Sequence, residues 1–400
     1  MSDTLSGGDT LLSEATKSQA VTQPGNPARS TVLPRVEWNG PEPKVNPSQR
    51  HRFEELGLLG EGGMGEVVLA KDHDIERTVA LKRLPQNCDL GRVLRFVEEI
   101  RTVGQLEHPN IVPVHDVGVD ATGRYYFVMK HLQGETLEQI ISRLRSGDPA
   151  AHARFTFPVR VQLFLGILHA LAYAHQQGFI HRDLKPANVM VGPFGEVTVM
   201  DWGLAKRIRA PEAKGDGAAA ISGPRDGTVL QTQLGAIMGT PLYMSPEQAR
   251  GAHDTLDERS DLYSAAVLFH ELLTLEHYLS GRSDLQAVLE GVKTVSPQRQ
   301  TSNARGPEYQ VPAELEWFID RAMQKDPAQR FGSVKEMEDE LQAILRGECR
   351  VQCPRTFAKR MLTESAGALD RRPMLFLGSV ALTVVVLLGA LVTAAVTLLG

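Results

Sequence analysis

Cysteine is nearly absent: Cys88, Cys349 and Cys353 are the three in 400 residues. That scarcity excludes a disulfide-stapled scaffold and suits a reducing compartment. Neither charge sign is in large excess, with 43 Lys plus Arg against 48 Asp plus Glu and a net charge of −5. Nothing in the bulk charge therefore calls for nucleic acid as a partner. Residues 1–50 lack an early apolar block with a cleavage-like site and do not read as a secretory signal. Zinc-site spacings are missing as well. His270-Glu271 finds its next histidine at His277, not at the i+4 position that a zinc-protease helix requires. Cys349 and Cys353 have no further ligands beside them, and no internal repeat is present. What remains is ordinary globular composition, 42% apolar and 23% charged, enough to bury a large core.

Residues 1–50 hold six prolines, one aromatic (Trp38) and no apolar period. Such a segment buries too little surface to offset its ordering entropy and is expected to be a disordered tail. Composition turns globular over 51–346. Its first part reads mostly as strands, at 67–69, 79–81 and 125–129, with one helical segment near 91–106. Beyond residue 135 the long periodic stretches are helical: 159–177, 261–273 and 313–324. Residues 347–373 read as a loop-like basic linker, with six Lys or Arg against three Asp or Glu.

Residues 374–399 carry no charge at all. As a helix this run would span about 39 Å against roughly 30 Å of hydrocarbon, so a transmembrane helix is expected over a buried core helix. Arg371 and Arg372 abut its start, with Arg355, Lys359 and Arg360 upstream. That bias keeps the preceding chain in the cytoplasm. With Gly400 alone beyond the run, no folded sensor is expected on the far side. Gly389 and Thr393, at i and i+4, would permit helix pairing into a homodimer.

The run Gly60-Glu61-Gly62-Gly63-Met64-Gly65-Glu66-Val67 fits G-x-G-x-x-G-x-V. Alone, a glycine cluster is most often a turn. A dinucleotide-binding turn would open a helix. Here Val67, Val68 and Leu69 continue as a strand, followed by a polar turn over 72–77 and then Thr78-Val79-Ala80-Leu81-Lys82. A Walker loop would need Lys and then Ser or Thr where Glu66 stands. The pattern predicts a strand–loop–strand lid with backbone amides aimed at phosphates. Lys82 by itself would be a snorkelling surface residue; coupled to the loop, it is the candidate phosphate lysine. Glu98 and Glu99 on the following helix could orient it, and Glu99 is preferred.

The run Ile180-His181-Arg182-Asp183-Leu184-Lys185-Pro186-Ala187-Asn188 is more specific. Phosphoryl transfer leaves little covalent chemistry to a protein and needs positioning and charge stabilisation. Asp183 can accept or orient the attacking hydroxyl. Lys185 can meet the transferring phosphoryl group, and the Asn188 amide oxygen can hold a metal ion. Asp201, followed by Trp202-Gly203, supplies a hard carboxylate for magnesium. Any one of these residues alone would read as a cap or a solvated loop group. The four in this order argue for chemistry.

In these motifs, and in Ser245-Pro246-Glu247, the sequence resembles the eukaryotic-type (Hanks-type) Ser/Thr protein kinase family over roughly residues 53–346. The resemblance implies an α+β, two-lobed fold. A small β-rich lobe would occupy 51–132, a large helical lobe 133–346, and ATP the cleft. It implies that Leu59, Gly60, Gly62, Gly63 and Gly65 cover ATP, and that Val67 and Ala80 contact adenine. Met129 would guard the back of the pocket, and Lys130-His131-Leu132 would be the interlobe hinge. Mg2+, or Mn2+, would accompany the nucleotide. Lys185 after the catalytic aspartate, with Thr240 facing both, implies Ser and Thr hydroxyls of proteins as acceptors. Glu247 and Arg330 resemble the family's buried ion pair, and Asp261 the aspartate that begins a central helix and braces the catalytic loop. The run from Ser245 to Gly251 is similar to the bacterial membrane-linked branch, which implies a single-pass membrane protein with a cytoplasmic kinase domain.

Some positions depart from the family pattern. Trp202 stands where Phe is usual, at a residue expected to pack against the regulatory helix. Ser245 replaces a commoner Ala, Lys130 replaces a frequent hinge Glu, and a Gly/Ala/Pro-rich insert occupies 209–227. Arg182 would receive a phosphate from the activation segment. Thr228 and Thr232 are the candidate sites, Thr232 the preferred one, modified by a second copy of the chain. A non-enzymatic scaffold of this fold would be expected to lack Lys82, Asp183 or Asp201, all of which are present. A small-molecule phosphotransferase would lack the Ser-Pro-Glu block and Thr240.

Overall fold

The computed structural model describes residues 30–33, 35–39, 42–46, 51–62, 65–208, 241–252, 255–297, 311–348, 354–371 and 373–399. The chain divides into two compact units, Met1–Gln105 with Val112–Leu132 and Leu106–Ile111 with Gln133–Gly400.

In the first unit, β1 (Arg35–Asn39) and β2 (Glu42–Asn46) pair antiparallel, from Arg35↔Asn46 to Asn39↔Glu42. This pair lies in the segment expected to be structureless. Composition averaged over the whole segment hides the local alternation of Val36, Trp38 and Val45. Five further strands, β3 (Phe53–Gly62), β4 (Gly65–Asp72), β5 (Arg77–Arg83), β6 (Val114–Val119) and β7 (Tyr125–Lys130), form one antiparallel sheet. Its order is β3-β4-β5-β7-β6. Side chains alternate between faces along each strand. Val68, Ala70, Val79, Leu81, Tyr126 and Val128 accordingly meet in one cluster.

Leu84 and Phe127 instead pack with Phe96 of helix α1 (Leu90–Val103). Burying each such side chain stabilises the unit by about 1.5–3 kcal/mol. The helix starts where Asp89 accepts a hydrogen bond from the Arg92 amide at 2.9 Å, an N-cap that satisfies one orphan donor.

The second unit opens with β8 (Glu135–Thr136), α2 (Leu137–Arg145) and α3 (Pro149–Arg154). Its centre is α4 (Phe157–Gln176), followed by β9 (Phe179–Ile180), β10 (Val189–Val191), β11 (Val197–Val199) and β12 (Lys206–Arg207). Five helices come next: α5 (Pro246–Ala249), α6 (Glu258–Thr274), α7 (Leu285–Thr294), α8 (Ala313–Ala322) and α9 (Val334–Leu345). Helices apolar on every side belong in a core. That holds for α4 and α6, where Phe164 stacks on Phe269 with ring centroids 4.0 Å apart. Phe318 of α8 meets both rings edge-on, at 6.4 and 6.1 Å. By length and composition α4 could cross a membrane, yet most of it is buried in this unit.

The stretch read as a loop-like linker contains a helix instead, α10 (Pro354–Arg371). Its Ala, Arg, Lys, Met and Leu residues are good helix formers, which outweighs the single Gly367. Helix α11 (Pro373–Leu399) follows and is 27 residues long. Its large apolar side chains, Leu382, Val385 and Leu388 among them, are exposed.

Candidate active site

The first unit holds the glycine loop and the phosphate-lysine candidate. Strands β3 and β4 converge through Gly60↔Val67, Glu61↔Glu66 and Gly62↔Gly65, with register shifts between Glu55 and Gly57 and between Leu58 and Gly60. Gly63 lies outside the described residues. Gly65 sits at φ 135°, and a Cβ there would lie 2.1 Å from the Arg83 carbonyl oxygen. Only glycine fits. At Gly60 and Gly62 an added Cβ would meet nothing within 4 Å among the described residues. Leu59 is exposed on β3.

Lys82 pairs across the sheet with Val67 and with Phe127, and Ala80 with Met129. The Lys82 Nζ donates to Glu99 Oε1 at 2.6 Å, with the two side chains 12% and 4% exposed. Glu98 is exposed, because a helix that turns Glu99 inward turns its neighbour out. Held at this distance in a nearly buried place, the carboxylate fixes where the ammonium sits. Ala80 is buried, Met129 packs against the Leu84–Phe96–Phe127 cluster, and Leu132 closes the unit half-buried.

In the second unit the catalytic-loop candidates gather around Asp261. This fully buried carboxylate accepts from His175 Nε2 at 2.8 Å, from the His181 amide at 2.8 Å and from the Arg182 amide at 2.9 Å. Burial alone would raise its pKa, but the hydrogen bonds from His175 and the Arg182 amide hold it below the usual range. Arg182 takes φ 69° and Asp201 φ 58°. Non-glycine residues in this left-handed region mark functional sites more often than ordinary loops.

Asp183, Lys185 and Asn188 come together. Lys185 Nζ donates to Asp183 Oδ2 at 2.7 Å. The Asn188 amide group donates to the Asp183 carbonyl at 2.9 Å and to Oδ2 at 3.3 Å. Strands β10 and β11 pair from Val189↔Val199 to Val191↔Val197. That ladder brings Asn188 and Asp201 to the same end. There the Met200 amide donates to the Asn188 carbonyl at 2.8 Å, and the Met200 carbonyl accepts from His181 Nε2 at 3.1 Å. Trp202 is buried with its ring 4.6 Å from that of His181. Its contact within this unit is thus the histidine that precedes Arg182.

Among the described residues no group of three or more His, Cys, Asp or Glu is arranged to hold a metal ion. The donor set instead suits a hard cation that keeps water and phosphate ligands. With its amide nitrogen committed to Asp183, Asn188 presents its amide oxygen on the other side, and Asp201 adds a carboxylate.

Glu247 and Arg330 form a bidentate pair, with both N–H···O distances 2.8 Å. Ser260 Oγ donates to the same carboxylate at 2.8 Å, and the arginine also donates to the carbonyls of Gln324 and Arg259. Burial works against the Glu247 charge, while Arg330 and Ser260 hold its pKa below the ordinary value. Two residues that the sequence reading passed over belong here. Gln248 donates to the Arg182 carbonyl at 2.8 Å and closes a capping box with Ser245. The Ser-x-x-Gln spacing carried that signal, and it gives the departure at Ser245 a structural role. Tyr243 donates to Glu271, and burial together with that carboxylate pushes its phenol pKa far up. Thr228, Thr232 and Thr240 lie outside the described residues.

Comparison with known proteins agrees with this geometry. Residues 53–341 match the family described as protein kinase domain. The Serine/threonine-protein kinase PknD of Protochlamydia amoebophila is 33% identical over 77% of this chain and 31% of its own length. The Probable serine/threonine-protein kinase SCO3848 of Streptomyces coelicolor is 37% identical over 74% of this chain and 40% of its own. The Serine/threonine-protein kinase pkn3 of Myxococcus xanthus is 36% identical over 74% and 50%. The chain thus spans half or less of the length of each of these relatives. The sheet of the first unit, the helices of the second and the match over 53–341 together establish that the chain belongs to the protein kinase domain family.

Proposed function

We propose that this protein is an ATP-dependent Ser/Thr protein kinase that transfers the γ-phosphoryl group of ATP to Ser and Thr hydroxyls of proteins. The observation that carries the reading is the Asp183–Lys185–Asn188 cluster, held on the two Asp261-bound amides. Asp183 orients the acceptor hydroxyl and takes its proton. Lys185, paired with Asp183, neutralises charge on the transferring group. Lys82, fixed by Glu99, meets the ATP phosphates under the glycine loop of Leu59, Gly60, Gly62, Gly63 and Gly65. Val67, Ala80, Met129 and Leu132 hold the adenine. Asn188 and Asp201 hold Mg2+, or Mn2+, which supplies charge neutralisation at the phosphate oxygens. The bacterial relatives named as Ser/Thr kinases support the acceptor class.

Regulation is proposed to run through Arg182, which receives a phosphate placed on Thr228 or Thr232 by a second copy of the chain, while Thr240 faces the acceptor. The helix Pro373–Leu399 crosses a membrane once, leaving the kinase domain cytoplasmic. A 27-residue apolar helix with exposed side chains supports that reading.

The test is ATP-dependent labelling of a generic basic protein, followed by identification of the modified residues. Phosphoserine and phosphothreonine, abolished by Lys82→Met, are the expected result. Phosphotyrosine alone, or undiminished labelling by Lys82→Met, overturns the reading. Phosphosite mapping of the chain made intact and as Asp183→Asn tests self-modification, which requires Thr228 or Thr232 phosphate in the first alone.

A further inference from the structure

The helix Pro354–Arg371 is mounted the wrong way round for a surface helix of a soluble domain. Phe357, Met361, Leu362 and Leu369 fall within one arc of about 140° on a 3.6-residue turn. A soluble domain would turn that stripe toward its core. Here the four side chains are 54%, 49%, 71% and 40% exposed. The other side of the helix is the one that meets protein: Thr356 is fully buried, and the helix packs against Ala313–Ala322. Lys359 Nζ, toward that side, donates to Glu314 Oε1 and Oε2 at 2.7 and 3.0 Å.

We propose that this helix is an interfacial element whose apolar face lies in the headgroup region of an anionic lipid bilayer, while its polar face stays on the kinase unit. Two observations select lipid as the occupant. Arg360 borders the apolar arc, and Arg371 and Arg372 follow, cations that complement anionic headgroups beside a shallowly inserted stripe, while Lys359 stays on Glu314. A single residue, Arg372, also separates the end of this helix from Pro373, where the 27-residue apolar helix begins. A second copy on the same face would set like charges against like. The proposal rests on the reading that Pro373–Leu399 crosses the membrane.

It has a consequence for the enzyme. A helix gripping the kinase unit on one side and lipid on the other holds that unit against the bilayer, where a free linker would let it swing. Acceptors at the membrane surface are thereby favoured.

The test uses the full chain with Cys88, Cys349 and Cys353 changed to Ser, in nanodiscs of phosphatidylcholine with or without phosphatidylglycerol. Single nitroxide labels are placed through Met361→Cys, Leu362→Cys, Ala366→Cys and Val385→Cys. Collision with oxygen is compared with collision with a water-soluble nickel complex. Labels at 361 and 362 are expected to favour oxygen, and the label at 366 nickel. Phosphatidylglycerol should raise the oxygen preference at 361 about twofold, and Arg360→Glu should cancel that rise. Nickel preference at 361 and 362 with oxygen preference at 385 overturns the interfacial helix and leaves the anchor standing. Shielding of 361 and 362 from both reagents overturns it in favour of a protein partner. Nickel preference at 385 removes the anchor and this proposal with it.

Discussion

Asp261 Oδ1 accepts the backbone N–H of Arg182 at 2.9 Å, and that backbone stands at φ 69°. One buried carboxylate thereby holds the residue before Asp183 in a conformation that costs on the order of 1–3 kcal/mol. Replacing it with an amide sets an NH2 group against amide donors. Asp261→Asn is therefore expected to lower stability by roughly 2–4 kcal/mol and to release the catalytic loop. Urea unfolding combined with turnover checks this; unchanged turnover would mean the loop holds its own shape.

The glycine loop offers an internal contrast. Gly65→Ala places a Cβ 2.1 Å from the Arg83 carbonyl oxygen at φ 135°, whereas Gly62→Ala meets nothing within 4 Å among the described residues. Gly65→Ala should destabilise the first unit by about 1–3 kcal/mol and weaken ATP binding. Gly62→Ala should leave the melting temperature nearly unchanged. Paired thermal melts and nucleotide titrations distinguish the two.

The Glu247–Arg330 pair predicts a pH signature. The folded-state pKa of Glu247 lies below its ordinary value of 4.5. The pair's stabilisation is thus fully present above about pH 4.5 and is lost as pH falls through the lower folded value. Arg330→Met leaves a buried carboxylate unpaired and should cost roughly 3–5 kcal/mol at neutral pH. The gap between wild type and Glu247→Gln should narrow below pH 4.5. Denaturant melts across pH 3–7 measure it, and a gap that widens in acid contradicts the assignment.

Gln248 joins the Ser-Pro-Glu helix to the Arg182 carbonyl at 2.8 Å. Gln248→Ala removes that bond and the capping box, a loss of about 1–2 kcal/mol. Turnover should fall while ATP affinity holds, because the bond reaches the catalytic loop and not the first unit. Steady-state kinetics with varied ATP separates the two terms.

Much of this was legible because its signals are local. Apolar or alternating runs at 67–69 and 79–81 and an aromatic, β-branched block at 125–129 marked strands; the first two extend by a few residues at each end and the third by Lys130 alone. The long apolar periods became α4 and α6, the stacked centre of the second unit. What escaped depends on contacts between distant parts of the chain. His175 on Asp261, Gln248 on Arg182 and Tyr243 on Glu271 each join residues far apart in sequence, and no period or spacing announces such a pair. The helix Pro354–Arg371 escaped for a different reason. Its charges suggested a solvated linker, and its apolar stripe becomes meaningful only when one sees which side meets protein.

The Asp183 carboxylate is proposed to serve the acceptor hydroxyl. Asp183→Asn keeps the side chain's size and removes the carboxylate paired with Lys185. With full chain, ATP and a basic protein acceptor, single-turnover transfer to Ser and Thr should fall by about 10²–10⁴-fold. Nucleotide affinity should stay within a few-fold of wild type. Transfer at the wild-type rate by Asp183→Asn, at matched nucleotide occupancy, would rule out that role for Asp183.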